Sequence, residues 1–100
     1  MPFLALPLRM TERQFQAQII AYAVLMGWRH YHTHDARRSA PGFPDLVLVR
    51  RPRLVFAEVK ADRGRVTDDQ TAWLEELRAS GQEVYLWRPS NWRQIETILR

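Results

Sequence analysis

Along this chain the spacing of apolar residues changes period several times, and each change marks an element. Phe15, Ile19, Ala23 and Met26 recur at helical spacing and share one face. Thr11-Glu12-Arg13-Gln14 forms a capping box ahead of them, so a helix is predicted from there to about Met26, stopped by Gly27. Trp28 to Thr33 reads as a first strand. Leu46 to Val49 is an unbroken apolar run, the pattern of a strand covered on both faces. Leu54 to Val59 is a second strand-forming run, joined to the first by the short basic segment Arg50 to Arg53, so the two should pair as an antiparallel hairpin. Thr67-Asp68-Asp69-Gln70 repeats the capping box and opens a helix to about Ala79, stopped by Gly81, with Gln70, Trp73, Leu74 and Leu77 facing inward. Glu83 to Arg88 reads as a fourth strand, ended by Pro89. Asn91 caps a short last helix whose inner face holds Trp92, Ile95 and Ile98 or Leu99. A helical crossover precedes the fourth strand, which makes it parallel to a neighbour. The fold class is therefore α/β: a small mixed sheet flanked by helices.

A length of 100 residues suits one domain with a modest core, drawn here as residues 11–100 behind an N-terminal tail, residues 1–10. The tail is apolar, with two prolines, and too short for a membrane span or a secretory signal, so no membrane partner is expected. The absence of cysteine excludes disulfides and thiolate metal sites, and is compatible with a reducing cytoplasm. A net charge of +4 and a pI near 10.3 favour a polyanionic partner. The basic residues are fourteen arginines and one lysine, a bias that a GC-rich genome largely explains. The single lysine is Lys60, two residues after Glu58.

That pair focuses the candidate chemistry. Asp45 opens the first hairpin strand and Glu58 closes the second, so antiparallel pairing brings both carboxylates to one end of the sheet. Glu58 and Lys60 point to the same side, because strand side chains alternate. Two hard oxygen ligands, joined by the backbone carbonyl of Val59, suit Mg²⁺ or Mn²⁺. Lys60 would orient or deprotonate an attacking water and offset charge on a phosphate. Glu12 lies on the inward stripe of the first helix and would hold a second ion or a metal-bound water; compensation of the helix dipole also accounts for it. Gln70 would hydrogen-bond Lys60 or the water. An exposed Glu–Lys salt bridge and an ordinary Pro-Asp turn are the bland alternative.

Other residues fit contacts to nucleic acid. His30, His32 and His34 alternate and would share one strand face. Zinc is one reading, but no further ligand is evident and alternating polar residues are usual on an exposed sheet face. His32 or His34 beside a phosphate is the more useful one. Arg37 and Arg38, upstream of Asp45, would grip a backbone phosphate or simply be solvated; Arg63 and Arg65 lie in a turn after Lys60.

Taken together, Glu12, Gly42-Phe43-Pro44-Asp45, Glu58-Val59-Lys60 and Gln70 resemble the PD-(D/E)xK nuclease superfamily. Within it the chain is similar to stand-alone VRR-NUC domains of phages and bacteria, from Thr11 to about Leu99. The histidine-rich strand, the Arg37-Arg38-Ser39 approach to the turn and the Trp87-Arg88-Pro89 ending belong to the likeness. The resemblance implies a restriction-endonuclease-like core of αβββαβ order and a divalent-metal-dependent endonuclease of the bacterial or phage-infected cytoplasm. It further implies cleavage of branched or flapped DNA by homodimers resembling Holliday-junction resolvases. By position, Asp45 and Glu58 become metal ligands, Lys60 the catalytic base or stabiliser, Glu12 the helix acid and Gln70 the supporting polar group. Two other functions stay open: a nucleic-acid-binding or assembly module that keeps the fold without activity, and a toxin-like or restriction-like nuclease.

Overall fold

The computed structural model describes residues 9–33 and 38–100. Helix α1 (Glu12–Leu25) is followed by strands β1 (Arg29–His32), β2 (Leu46–Arg50) and β3 (Arg53–Val59), helix α2 (Asp68–Ala79), strand β4 (Glu83–Trp87) and helix α3 (Trp92–Leu99). A single 3₁₀ turn, Pro89–Asn91, links β4 to α3. The expected order is thus reproduced, with one terminal helix added to the αβββαβ core. Both expected capping boxes are formed: Thr11 and Thr67 each accept from the backbone N–H of the third helical residue, whose glutamine reaches back to the cap. Gly27 and Gly81 take positive φ just beyond α1 and α2, which explains where those helices end.

The sheet runs β1-β2-β3-β4, antiparallel except for the β3–β4 pair. Its register sorts the side chains. Leu46, Leu48, Val55, Ala57, Val59 and Trp87 form one face, sealed by Phe15, Ile19 and Ala23 of α1 and by Trp92, Ile95 and Leu99 of α3. Met10, two residues before α1, also packs against this core. The opposite face carries Phe56, Glu58 and Val84 under α2, with Phe43 wedged edge-on between Phe56 and Trp73. The rest of the expected tail, residues 1–8, lies outside the described residues.

Two expectations fail here. Asn91 gives α3 no side-chain cap, because its Oδ1 accepts from Arg88 N instead. β2 is covered on one face only: Leu46 and Leu48 are buried, whereas Val49 is exposed and Val47 half-buried. α2 is the one helix on that side, and it lies towards β4, leaving Tyr31, Val47, Val49 and Leu54 uncovered at the β1–β2 end.

The basic hairpin turn has a structural task. Arg50 donates to the carbonyls of Met26 and Leu99, at 2.9 and 3.0 Å, and to that of Arg100. Arg53 donates to Ile98 O and pairs with Glu83, whose carboxylate also accepts from Tyr85. Both guanidiniums stack on Trp28, at 4.7 and 5.0 Å from its centroid, and Trp28 Nε1 donates to Leu99 O. One hairpin therefore supplies cations and donors to the C-terminal ends of α1 and α3, where unpaired carbonyls concentrate negative charge.

Gly42 fixes the other side of the molecule. It has φ +92°, and a Cβ there would lie 2.5 Å from the carbonyl carbon of Asp69 and 2.7 Å from Gln70 N. Only glycine lets the turn before Asp45 touch the first turn of α2. Gly81 has a similar φ, +85°, and open space around it. Gly42→Ala should therefore cost roughly 2–5 kcal/mol, backbone strain plus overpacking, and Gly81→Ala only about 1–2 kcal/mol. Urea unfolding of the two variants checks this; equal losses would show that the close approach to α2 contributes nothing.

Candidate active site

The hairpin register builds the centre. Leu46 pairs with Ala57, so the next step outward sets Asp45 against Glu58. Asp45 Oδ2 accepts from Val59 N at 2.9 Å, which ties the carboxylate to the end of β3. Glu58 is 1% exposed. Its Oε2 accepts from Gln70 Nε2 at 2.9 Å and lies 3.8 Å from Lys60 Nζ, an ion-pair distance. Its Oε1 is buried with no hydrogen-bond partner among the described residues.

Gln70 does two things with one amide. Its Oε1 accepts from Thr67 N to close the helix cap, which leaves Nε2 to donate to Glu58. The expected partner was Lys60 or a water; the capping box instead turns the donor end of the amide towards the carboxyl group.

Lys60 is 9% exposed. Its backbone N–H donates to Trp87 O at 3.0 Å, continuing the parallel ladder past Val59. Its stem runs beneath a tight turn closed by Gly64 N donating to Ala61 O, and a Cβ on Gly64 would stand 3.4 Å from Lys60 Cδ. Arg88 holds that turn, its Nη1 donating to the carbonyls of Ala61, Asp62 and Gly64 at 2.7, 3.1 and 2.8 Å. Ser90 N adds a bond to Asp62 Oδ1. Sequence reasoning had no role for Arg88 beyond its place in the Trp-Arg-Pro ending. The available signal was its position at the end of β4, the strand that parallels β3.

The electrostatics follow from crowding. Burial, then the nearby charge of Asp45, pushes the Glu58 carboxyl up to about 8; Lys60 pulls the other way and Glu12 adds to the rise. Glu12 is exposed as a residue, but its carboxyl is also raised, first by partial burial and then by Asp45, against the pull of Lys60. Three acids thus feel one another around one lysine. They do not form a cage, for among the described residues no three His, Cys, Asp or Glu side chains are placed to hold one ion.

The remaining candidates are dispersed. His30 and His32 stack at 5.9 Å on the outer strand β1, in register with Leu48 and Leu46 and so on the opposite face from Glu58. Arg38, Arg63 and Arg65 are exposed. His34 and Arg37 lie outside the described residues.

A family model described as the VRR-NUC domain matches residues 5–91. The chain belongs to the VRR-NUC family. The match covers every element up to the 3₁₀ turn and stops at α3, and no curated protein matches the chain. A VRR-NUC domain is a nuclease domain, a hydrolase acting on DNA. No helix among the described residues is long and apolar enough to cross a membrane.

The raised carboxyl has a consequence for stability. Between pH 4.5 and about 8 the unfolded chain has released the Glu58 proton while the folded VRR-NUC domain retains it. Unfolding then releases a proton, so raising the pH favours unfolding. Urea unfolding in EDTA should show stability falling across that window. Glu58→Gln keeps an acceptor for Gln70 and removes the charge, so it should flatten the fall and be more stable than wild type at pH 8. A wild-type profile that stays level would mean that Glu58 ionises freely.

Proposed function

We propose that this VRR-NUC domain is a Mg²⁺- or Mn²⁺-dependent endodeoxyribonuclease that hydrolyses phosphodiester bonds. The observation that carries the reading is the Asp45–Glu58 carboxyl pair, with the unpartnered Glu58 Oε1 buried between like charges and Lys60 at its side. A buried acceptor with no donor is costly, and a divalent cation relieves both the missing partner and the repulsion. Hard oxygen donors suit these ions rather than a soft metal. Asp45, Glu58 and the Val59 carbonyl would hold the ion, with Glu12 at the rim for a second ion or a bound water. When bound, such an ion acidifies a water and neutralises charge gathering on the phosphate.

The chain's own groups do the rest. Val59 N orients Asp45, and Gln70 orients Glu58. Lys60, shielded from solvent beneath the Ala61–Gly64 turn, aligns the attacking water or takes its proton, and its ammonium offsets phosphate charge. Arg38, Arg63 and Arg65 are exposed and would meet backbone phosphates.

Branched or flapped DNA is the proposed substrate, in the cytoplasm of a bacterial or phage-infected cell. The working unit is a homodimer, which would present two sites to two strands. The uncovered apolar group of Tyr31, Val49 and Leu54, 62%, 37% and 38% exposed, supports self-association.

Purified protein with Mg²⁺ or Mn²⁺ should nick a panel of linear, flap, fork and four-way DNAs, with EDTA abolishing cleavage. Asp45→Asn, Glu58→Gln and Lys60→Ala should each lower the rate by about 10²–10³ or more while the variants still bind DNA. Cleavage of none of the panel would return the chain to a binding module, and full activity in all three variants would remove the site.

A further inference from the structure

A cleft of about 400 Å³ is lined by Arg9, Met10, Ala61, Asp62 and Arg63, the last three following Lys60 directly in the chain. One wall is the segment leading into α1, two residues before the Thr11 cap. The other is the turn that covers the Lys60 stem, held by Arg88. The cleft therefore opens one residue beyond Lys60 and has at least one rigid wall.

Its two cations have no partner among the described residues. Arg50, Arg53 and Arg88 spend their guanidiniums on backbone carbonyls and on Glu83. Arg9 and Arg63 make no hydrogen bond or ion pair among the described residues, yet both line this one cleft. Asp62 lines it too, with Oδ1 bound to Ser90 N. Both cations line one cleft, and an anion bound there would be attracted to each. Guanidinium forks match phosphate oxygens in particular. The volume suits a single nucleotide unit rather than a duplex.

We propose that this cleft is a subsite for the nucleotide next to the scissile linkage, with Arg9 and Arg63 gripping its phosphate from opposite walls. Arg9 is then a positioning residue that holds the strand in line with Lys60. The inference rests on the nuclease reading above and adds to it the cleft and Arg9.

The test is binding, so it does not depend on turnover. A fluorescein-labelled single-stranded oligonucleotide is titrated with the full chain in EDTA, by anisotropy, from 50 to 200 mM salt. Arg9→Ala and Arg63→Ala should each weaken binding about tenfold, the worth of one charged hydrogen bond. Each should also lower the slope of log affinity against log salt by about 0.7, one phosphate's share of counterion release on a single strand. Arg9→Gln, close to the original length, should behave like Arg9→Ala, while Arg9→Lys should keep the wild-type slope. Single methylphosphonate linkages walked along the strand should find one position whose neutralisation weakens wild type but not Arg9→Ala. Wild-type affinity and slope in both alanine variants would overturn the subsite while leaving the nuclease reading intact. Failure of the wild-type chain to bind DNA would overturn both.

Discussion

The structure depends on keeping two carboxyl groups together where they would rather be apart. Asp45, half-buried, and Glu58, fully buried, meet at the end of a hairpin, where their mutual repulsion is only partly screened. Left alone, such a pair would splay outward or keep a proton. Here three restraints prevent the splay. The strand register fixes the Cα positions, Val59 N holds one carboxylate and Gln70 the other. The unfavourable geometry is thus held by favourable backbone pairing elsewhere in the sheet, which is how strain at a functional centre persists. Folding has already done the work of holding the two carboxyl groups in place, so their arrangement does not have to be assembled anew.

The surrounding fold can be understood as bracing for that pair. Gly42 brings the loop before Asp45 against α2, so that the helix carrying Gln70 and the strand carrying Glu58 share a fixed spacing. At the far end of the same hairpin, Arg50 and Arg53 lock the C-terminal ends of α1 and α3 over Trp28. Arg88 stiffens the turn over Lys60. The basic residues of this chain therefore divide into two kinds. Arg50, Arg53 and Arg88 serve the fold, and the high pI overstates how much positive charge is left unpaired at the surface.

Much of this was legible in the chain itself, for reasons that differ by element. The helices announced themselves through two local codes, the capping boxes at Thr11 and Thr67 and the glycines beyond their ends. The hairpin was legible because a short basic segment joins two apolar runs, and the parallel fourth strand because a helical crossover precedes it. Asp45, Glu58 and Lys60 could be placed together because antiparallel register follows from loop length. What could not be read was tertiary. The cover on β2 depends on where α2 lies, and nothing within Leu46–Val49 records that. The partners of Arg50, Arg53 and Arg88 are backbone carbonyls distant in sequence, and a carbonyl acceptor has no residue-type signature. The orientation of the Gln70 amide followed from its own capping box, so that detail was within reach and was missed.

The choice of lysine at position 60 ties composition to chemistry. A chain that spells its basic residues as arginine fourteen times uses lysine once, and it does so beneath the Gly64 turn, 3.8 Å from Glu58. Space is limited there, since a Cβ on Gly64 would stand 3.4 Å from Lys60 Cδ, and a planar guanidinium is bulkier than an ammonium. Shape and charge also differ: an ammonium is a compact point charge on a flexible stem, whereas a guanidinium is a planar fork. The other arginines with partners here use that fork on several acceptors at once, as Arg50 and Arg88 do on backbone carbonyls. Position 60 instead places one buried charge beside one carboxyl group, a geometry that the compact head meets and the fork does not.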